Sequence, residues 1–209
     1  MKTCYIFGAG LGLPEKITVK ETDLVIAADG GLEHLKKLNI KPNIVIGDFD
    51  SLGYIPKEKE VITYPVKKND TDTMLAVKKG FEKGFTHFHI YGGTGGRFDH
   101  TLANIQTLSY IASQNGSAFL YGEDFTATVI RDGEISLDSR IGNISVFSLS
   151  DKCEGVTIKG LLYEVRDIEL TNDFPLGVSN KFTNNRACIS VKKGSLLIIY
   201  DEKNSLEEL

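Results

Sequence analysis

Carboxylates and glycines concentrate in four short segments of this chain, each at a point where a predicted β-strand ends. The segments are Ala28-Asp29-Gly30-Gly31, Gly47-Asp48-Phe49-Asp50-Ser51, Lys67-Lys68-Asn69-Asp70-Thr71-Asp72 and Gly92-Gly93-Thr94-Gly95-Gly96-Arg97-Phe98-Asp99-His100. Ligands of open α/β sheets bind beyond the carboxyl ends of the strands, so we expect these segments to share one rim. Carboxylates that converge there would repel each other unless a cation lay among them. Their oxygen atoms suit Mg²⁺, which combines a few carboxylates with phosphate oxygens, so the predicted substrate is a polyphosphate.

The acidic segments each allow a second interpretation. Asp48 and Asp50 lie two residues apart, so an extended chain would point both carboxylates to one side, where they could share one metal or two. A single pair of this kind more often shapes a turn, but its place among four such segments favours metal binding. Asp72 precedes a predicted helix, where either Thr71 or Asp72 could serve as the N-cap.

The glycine-rich segment Gly92–Gly96 offers backbone N–H groups to an approaching anion, and Arg97 follows it as a permanently charged phosphate ligand. A second glycine-rich run, Gly8-Ala9-Gly10-Leu11-Gly12-Leu13, imitates a dinucleotide-binding loop. Leu13 stands where that motif requires its third glycine, so we expect no Rossmann cofactor, although the run could line the pocket. We interpret His87 and His89, which alternate with apolar residues in a predicted strand, as structural residues and not metal ligands.

The elements that must position these segments change in type near Gly122. Before it, apolar runs alternate with helical segments, which is typical of βα units and a parallel sheet. The predicted strands are Cys4–Phe7, Leu24–Ala28, Ile44–Ile46, Val61–Tyr64, Phe88–Tyr91 and Ala118–Tyr121, and the predicted helices are Leu32–Leu38, Thr73–Lys83 and His100–Ser113. After Gly122 we predict only strands, at Val129–Ile130, Ile144–Phe147, Val156–Ile158, Leu161–Val165, Ala187–Val191 and Leu196–Tyr200. The sequence therefore predicts an α/β parallel-sheet N-terminal domain (residues 1–122) and an all-β C-terminal domain (residues 123–209).

Composition excludes several classes of partner. The net charge is −4, from 24 basic and 28 acidic side chains, and no dense run of Lys and Arg is present that would neutralise a nucleic acid. No apolar stretch approaches the roughly 20 residues of a membrane helix. The three cysteines show neither disulfide-framework nor zinc-site spacing. We expect a cytoplasmic protein without nucleic-acid or membrane partners.

In order and spacing, the four segments resemble the thiamine pyrophosphokinase family, whose members carry Ala-Asp-Gly-Gly, Gly-Asp-Phe-Asp-Ser, Lys-Asp-x-Thr-Asp and Gly-x-x-Gly-Gly-Arg-x-Asp-His. Gly177-Val178-Ser179-Asn180 extends the likeness, because it is similar to a Gly-x-Ser-Asn segment of bacterial members. The resemblance implies an α/β nucleotide-binding domain, a thiamine-binding β-sandwich domain, and a homodimer whose subunits share active sites. The reaction so implied is attack of the thiamine hydroxyl on the β-phosphorus of ATP, with AMP leaving.

The same resemblance implies roles for individual residues. Asp48, Asp50 and Asp72 would bind the Mg²⁺ that bridges the ATP phosphates. Arg97 would hold the polyphosphate, and Asp99 would act as general base or orienting group, a role for which Asp72 competes. The remaining ligand contacts implied are Asp29, Gly30, Ser51, Lys68, Thr71, Gly92, Thr94, Gly95, Gly96, His100, Ser179 and Asn180.

The chain departs from the family pattern at Asn69, where an Asp is common; either Asp70 compensates or this position does not bind metal. Family members often stack an aromatic residue on the thiamine ring, and in a chain without Trp the sequence does not identify that residue. Two other functions remain open. One is a metal-dependent nucleotide phosphohydrolase with water as nucleophile, and the other is a non-catalytic sensor of thiamine or nucleotide.

Overall fold

The computed structural model describes residues 2–48, 60–65 and 69–201. The chain divides into two compact units, Met1–Glu123 and Asp124–Leu209. Three of the predicted site residues, Asp50, Ser51 and Lys68, lie outside the described residues.

The first unit is built on a parallel sheet. Its strands, within the described residues, are β1 (Cys4–Phe7), β2 (Leu24–Ala28), β3 (Ile44–Gly47), β4 (Val61–Thr63), β5 (His87–Tyr91) and β6 (Ser117–Tyr121). They run parallel in the order β6-β5-β1-β2-β3-β4. Three helices accompany them, α1 (Gly31–Lys37), α2 (Asp72–Glu82) and α3 (Phe98–Ser113). Every strand and helix predicted for this half is present, with ends displaced by no more than two residues.

The order of the strands reverses between β1 and β5. The chain continues from β1 to β2 on one side and from β5 to β6 on the other, so the loops that follow these two neighbouring strands diverge. In open α/β sheets a ligand binds in the crevice at such a reversal. The two loops concerned, residues 8–12 and 92–96, are the glycine-rich runs of the sequence.

The strands are continuous apolar runs because residues on both faces of the sheet are buried. All five residues of β2 are buried, and Phe7 and Phe88 on neighbouring strands are almost fully excluded from solvent. Cys4 packs among them, and burial raises the pKa of its thiol, so it behaves as an apolar side chain. This core fixes the strand ends that carry the predicted site.

His87 and His89 have structural partners within the sheet. Nδ1 of His89 lies 2.7 Å from the hydroxyl of Tyr121, whose ring stacks on the imidazole, and Nδ1 of His87 forms a hydrogen bond with the Ser117 hydroxyl. Burial lowers the pKa of His89, and the nearby His87 lowers it further. Both contacts agree with a structural interpretation of these histidines.

The second unit is a β-sandwich. Its described strands are β7 (Phe125–Arg131), β8 (Glu134–Leu137), β9 (Asn143–Ser148), β10 (Lys152–Lys159), β11 (Val165–Thr171), β12 (Asn180–Lys181), β13 (Ala187–Ser190) and β14 (Ser195–Asp201). Antiparallel pairs order them as β12-β9-β14-β7 in one sheet and β11-β10-β13-β8 in the other. Side chains of both sheets, such as Val146, Ile158, Ile189 and Ile198, share one core. The predicted fold class is confirmed.

The predicted strand Leu161–Val165 is wrong. After β10 the chain turns at Gly160, which has a φ of 77°, and the Glu164 carboxylate accepts a hydrogen bond from the Gly160 N–H at 2.6 Å. The real strand, β11, begins only at Val165. Its alternation is interrupted at Asp167, which has a φ of 56° beside a shift in the pairing with β10. A bulge of this kind hides the two-residue period from sequence analysis.

We predict that Gly31→Ala destabilises the first unit, because a Cβ added at Gly31 would lie 1.8 Å from the Phe7 carbonyl oxygen. Helix α1 would have to move away from the end of β1, and such overpacking costs about 1–3 kcal/mol of unfolding free energy, which urea denaturation can measure. The control, Lys37→Ala at the exposed end of α1, should change this value by less than about 0.5 kcal/mol. An unchanged midpoint for Gly31→Ala would show that α1 moves freely.

Candidate active site

A cavity of about 360 Å³ opens at the carboxyl ends of the strands in the first unit. Its volume is within the usual range for small-molecule sites, roughly 300–1,000 Å³. Eight predicted site residues line it, namely Asp29, Thr71, Asp72, Gly92, Thr94, Gly95, Arg97 and His100. The structure therefore brings together the segments that follow β2 and β5 and the one that precedes α2.

Other predicted residues lie near this cavity without lining it, or lie elsewhere. Gly30 is the N-cap of α1, Asp48 follows the last residue of β3, and Gly96 and Asp99 belong to the exposed turn that begins α3. Ser179 and Asn180 lie in the second unit.

The floor of the cavity is formed by two glycine loops that bind each other through their backbones. The Gly8 N–H donates to the Tyr91 oxygen at 2.8 Å, the Gly10 N–H to the Gly92 oxygen at 2.7 Å, and the Leu11 N–H to the Thr94 oxygen at 2.7 Å. A Cβ at Gly10 would lie 2.2 Å from the Thr94 oxygen, so the contact requires glycine. The first loop thus lines the pocket.

Asn104 supports this floor from helix α3, and sequence analysis missed it. Its side chain is 6% exposed, lines the cavity, and donates from Nδ2 to the Gly93 oxygen at 2.7 Å. Asn104 occupies a buried face of α3 whose other members are Thr107, Leu108, Ile111 and Ala112. An amide side chain on a mainly apolar helix face was the signal that could have identified it.

Arg97 and Asp99 form an ion pair at the start of α3. Nε of Arg97 lies 3.1 Å from Oδ1 of Asp99, and Nη2 lies 2.5 Å from Oδ2. The hydrogen bond from Arg97 holds the pKa of Asp99 below its ordinary value and raises the pKa of Arg97. Both side chains are exposed, so the pair adds little to stability. Of the five guanidinium donors, Asp99 occupies two, which leaves three for a phosphate.

The polar residues of the segment before α2 have different roles. Thr71 is the N-cap, because its hydroxyl accepts a hydrogen bond from the Met74 N–H at 3.2 Å. Both carboxylate oxygens of Asp70 accept from Lys78, at 3.0 and 2.8 Å. Asp72, the first residue of the helix, lines the cavity. The positive end of the helix dipole there favours negative groups.

Asp29 reaches the cavity through an unusual backbone conformation. It has a φ of 48° and directly follows β2, and its N–H donates to the Ile46 oxygen at 2.7 Å. Aspartate tolerates this left-handed region better than most residues, so it can turn the chain sharply from the strand into α1. The turn places Asp29 on the wall of the cavity.

The described carboxylates fit a magnesium ion that arrives with its substrate. Asp29 and Asp72 line the cavity, and Asp48 follows β3, the neighbour of β2. Within residues 2–48, 60–65 and 69–201, no group of three or more metal-binding side chains lies close together. Mg²⁺ takes one or two carboxylates and completes its shell with phosphate oxygens and water, so two carboxylates are sufficient protein ligands.

In the second unit, Asn180 positions an exposed loop. Its side chain is 6% exposed; Oδ1 accepts from the Tyr163 N–H at 3.0 Å, and Nδ2 donates to the Tyr163 oxygen at 2.8 Å. The Tyr163 side chain itself is 64% exposed. These bonds give Asn180 a role in holding the backbone of Tyr163.

Comparison with known proteins identifies the family. The family model for the catalytic domain of thiamin pyrophosphokinase matches residues 16–120, and the model for its vitamin B1 binding domain matches residues 134–196. The thiamine pyrophosphokinase of Bacillus subtilis (strain 168) is 30% identical over 187 residues, covering 86% of this chain and 87% of the relative. The chain belongs to the thiamin pyrophosphokinase family.

Solved structures of thiamin pyrophosphokinases share the fold. The crystal structure of the Bacillus subtilis enzyme gives a TM-score of 0.84 at 27% identity, covering 96% of this chain and 99% of that one. The thiamin pyrophosphokinase from Candida albicans gives 0.73 at 16% identity, covering 96% and 89%, and shows the fold alone. Among the described residues no helix is long and apolar enough to cross a membrane.

We predict that Asn104→Ala loosens the cavity floor, because the buried Gly93 carbonyl loses its side-chain donor. Leaving such a group unsatisfied costs about 1–3 kcal/mol of unfolding free energy, measurable by urea denaturation. The matched control is Gln106→Ala, on the exposed side of the same helix. Equal stability of the two variants would mean that the floor keeps its shape without Asn104.

Proposed function

We propose that this chain transfers the diphosphoryl group of ATP to the hydroxyl of thiamine, which yields thiamine diphosphate and AMP. The observation that carries this proposal is the match of both domains of the thiamin pyrophosphokinase family, in a chain whose first unit holds a glycine-floored cavity with Arg97 at its rim. The name thiamine pyrophosphokinase, which the matching relatives carry, describes this reaction.

In the proposed reaction, the thiamine hydroxyl oxygen forms a bond to the β-phosphorus. The bond from that phosphorus to the oxygen bridging it to the α-phosphorus breaks, AMP leaves, and the hydroxyl proton is released. The protein mainly has to align the entering and leaving oxygens and neutralise the negative charge. The glycine floor admits the phosphates closely, and the unpaired guanidinium donors of Arg97 hold their oxygens.

We propose that the carboxylates of Asp48, Asp50 and Asp72 bind Mg²⁺. Of these three residues, Asp50 lies outside the described residues. When bound, the ion neutralises phosphate charge and polarises the phosphorus that is attacked. Asp29 lines the same cavity and is a further oxygen donor. The pairing of Asp70 with Lys78 supports the interpretation that Asp72 is the carboxylate this segment gives to the metal.

The geometry favours a role for Asp99 in orienting Arg97, and not a role as general base. Its carboxylate accepts two hydrogen bonds from Arg97, and its lowered pKa makes it a poor proton acceptor. Asp99 instead fixes the plane of the guanidinium beside the cavity. Asp72, which lines the cavity, competes with Asp99 for the hydroxyl proton.

We predict that the purified chain, incubated with ATP, Mg²⁺ and thiamine, forms thiamine diphosphate and AMP in equal amounts, measured by chromatography. Asp72→Asn should lower kcat by about 100-fold or more, the usual loss when one group that stabilises transition-state charge is removed. Asp70→Asn is the matched control; it breaks only the partly exposed ion pair with Lys78, and should keep kcat within about threefold.

Other products would identify other functions. Inorganic phosphate without thiamine diphosphate would indicate the nucleotide phosphohydrolase, and thiamine binding without any product would indicate the sensor. Equal losses of kcat in Asp72→Asn and Asp70→Asn would contradict a metal-binding role for Asp72 and would indicate a structural role for the segment.

We also propose that two copies of the chain assemble with shared active sites. Each unit exposes large apolar side chains: Leu11, Phe98 and Leu102 in the first, and Leu162, Tyr163, Phe174, Leu176 and Val178 in the second. Exposed apolar side chains mark an interaction surface where they lie side by side. Tyr163, with its backbone held by Asn180, offers an exposed ring that suits the cationic thiazolium of thiamine.

The buried free thiols of Cys4 and Cys153 support a reducing cytoplasmic location.

Shared sites predict that two inactive variants complement each other. Asp72→Asn and Tyr163→Ala would each be impaired alone, whereas mixed dimers would contain one site with both residues intact. After subunit exchange at equal amounts, about a quarter of the wild-type activity should return, because half the dimers are mixed and each has one working site. Activity that stays at the sum of the two separate variants would place both residues in the same subunit's site.

A further inference from the structure

The peptide unit between Ala9 and Gly10 is anchored at both of its polar ends. The Gly10 N–H donates to the Gly92 oxygen at 2.7 Å, and the Ala9 oxygen lies 3.1 Å from Nε2 of His34. Ala9 and Gly10 both line the cavity. One hydrogen bond therefore fixes this unit to the neighbouring glycine loop, and the other fixes it to helix α1.

The partners of His34 determine which ring nitrogen carries hydrogen. The Ala9 oxygen can only accept, so Nε2 must donate. Nδ1 is buried and has no hydrogen-bond partner among the described residues. A hydrogen on Nδ1 would be a buried donor without an acceptor, which is costly. Nε2 therefore carries the hydrogen that binds the Ala9 oxygen, and this is the one hydrogen bond of the ring among the described residues.

Helix α1 gives His34 a rigid base. Leu32 and Leu35 are buried against the core of the first unit, and the helix begins at Gly31, in contact with the end of β1. Ala9, by contrast, lies between Gly8 and Gly10, and glycine restrains backbone rotation least. The orientation of the Ala9 carbonyl is set by two hydrogen bonds, one from the Gly10 N–H of the same peptide unit to Gly92 and one from His34.

We propose that His34 is a positioning residue for ATP: it holds the Ala9–Gly10 peptide unit so that this part of the cavity floor presents its backbone correctly to the nucleotide. The proposal rests on the proposed function in taking ATP as the ligand of this cavity. His34 acts through Ala9 and does not itself line the cavity. Its loss should therefore weaken nucleotide binding more than it slows the chemical step.

Three substitutions at His34 distinguish loss of its hydrogen bond to Ala9 from loss of its side-chain packing. Gln can place its side-chain amide nitrogen where Nε2 of histidine lies, Asn is too short to reach Ala9, and Leu fills space without a donor. We expect His34→Leu and His34→Asn to raise the dissociation constant for ATP with Mg²⁺ by about 3- to 10-fold, the range for loss of one net hydrogen bond. His34→Gln should stay within about twofold of wild type.

The measurement is isothermal titration calorimetry with ATP and Mg²⁺ in the absence of thiamine, accompanied by thermal unfolding of each variant. Steady-state assays should show the same rise in the KM for ATP, with the KM for thiamine and kcat nearly unchanged. Wild-type affinity in His34→Leu would overturn the proposal, as would a His34→Gln variant that is as weak as His34→Leu. Losses of affinity that merely follow losses of thermal stability would also overturn it.

Titration without thiamine distinguishes this inference from the proposed function. A wild-type chain that binds ATP but forms no thiamine diphosphate would contradict the function, and the comparison of the His34 variants would still decide the inference. A wild-type chain that binds no ATP would overturn both.

Discussion

The candidate active site depends on the close backbone contact between the loops 8–12 and 92–96. An added Cβ at Gly8, Gly10 or Gly92 would lie within 2.5 Å of a backbone oxygen of the opposite loop. Only glycine permits this separation, and the hydrogen bonds between the loops form only at this separation. Because β1 and β5 are neighbours where the strand order reverses, the two loops make one continuous floor at the place where open sheets bind ligands.

Hydrogen-bond donors engage four carbonyl oxygens of this floor. The oxygens of Gly92 and Thr94 accept hydrogen bonds from the opposite loop, while those of Ala9 and Gly93 accept from His34 and Asn104. A phosphate is repelled by carbonyl oxygens and attracted by N–H groups, so donors that engage these four oxygens favour an anion. Helices α1 and α3 therefore contribute through single polar side chains as well as through their apolar faces.

The sequence predicts which end of the sheet carries the candidate site because its signals are local. A strand followed by Asp or Gly is visible in the sequence, and parallel strands bring such ends to one rim. Asn104 and His34 were missed because each binds a loop carbonyl that is distant in the sequence, and no spacing encodes that. The strand β11 was displaced for a related reason, since the bulge at Asp167 breaks the alternation on which strand prediction depends. The anchoring of Tyr163 could not be predicted either, because its backbone is bound by the side chain of Asn180, which lies 17 residues away in the sequence.

The departure of Asn69 from the family pattern can now be interpreted through its neighbours. Asn69 is exposed, and Asp70 is held by Lys78 at 2.8 Å, so neither is arranged as a cavity ligand. Thr71 caps α2, so capping of this helix does not require the carboxylate of Asp72. Of the described acidic residues in this segment, Asp72 alone lines the cavity. Asn69 does not line the cavity either, which favours the interpretation that this position does not bind metal.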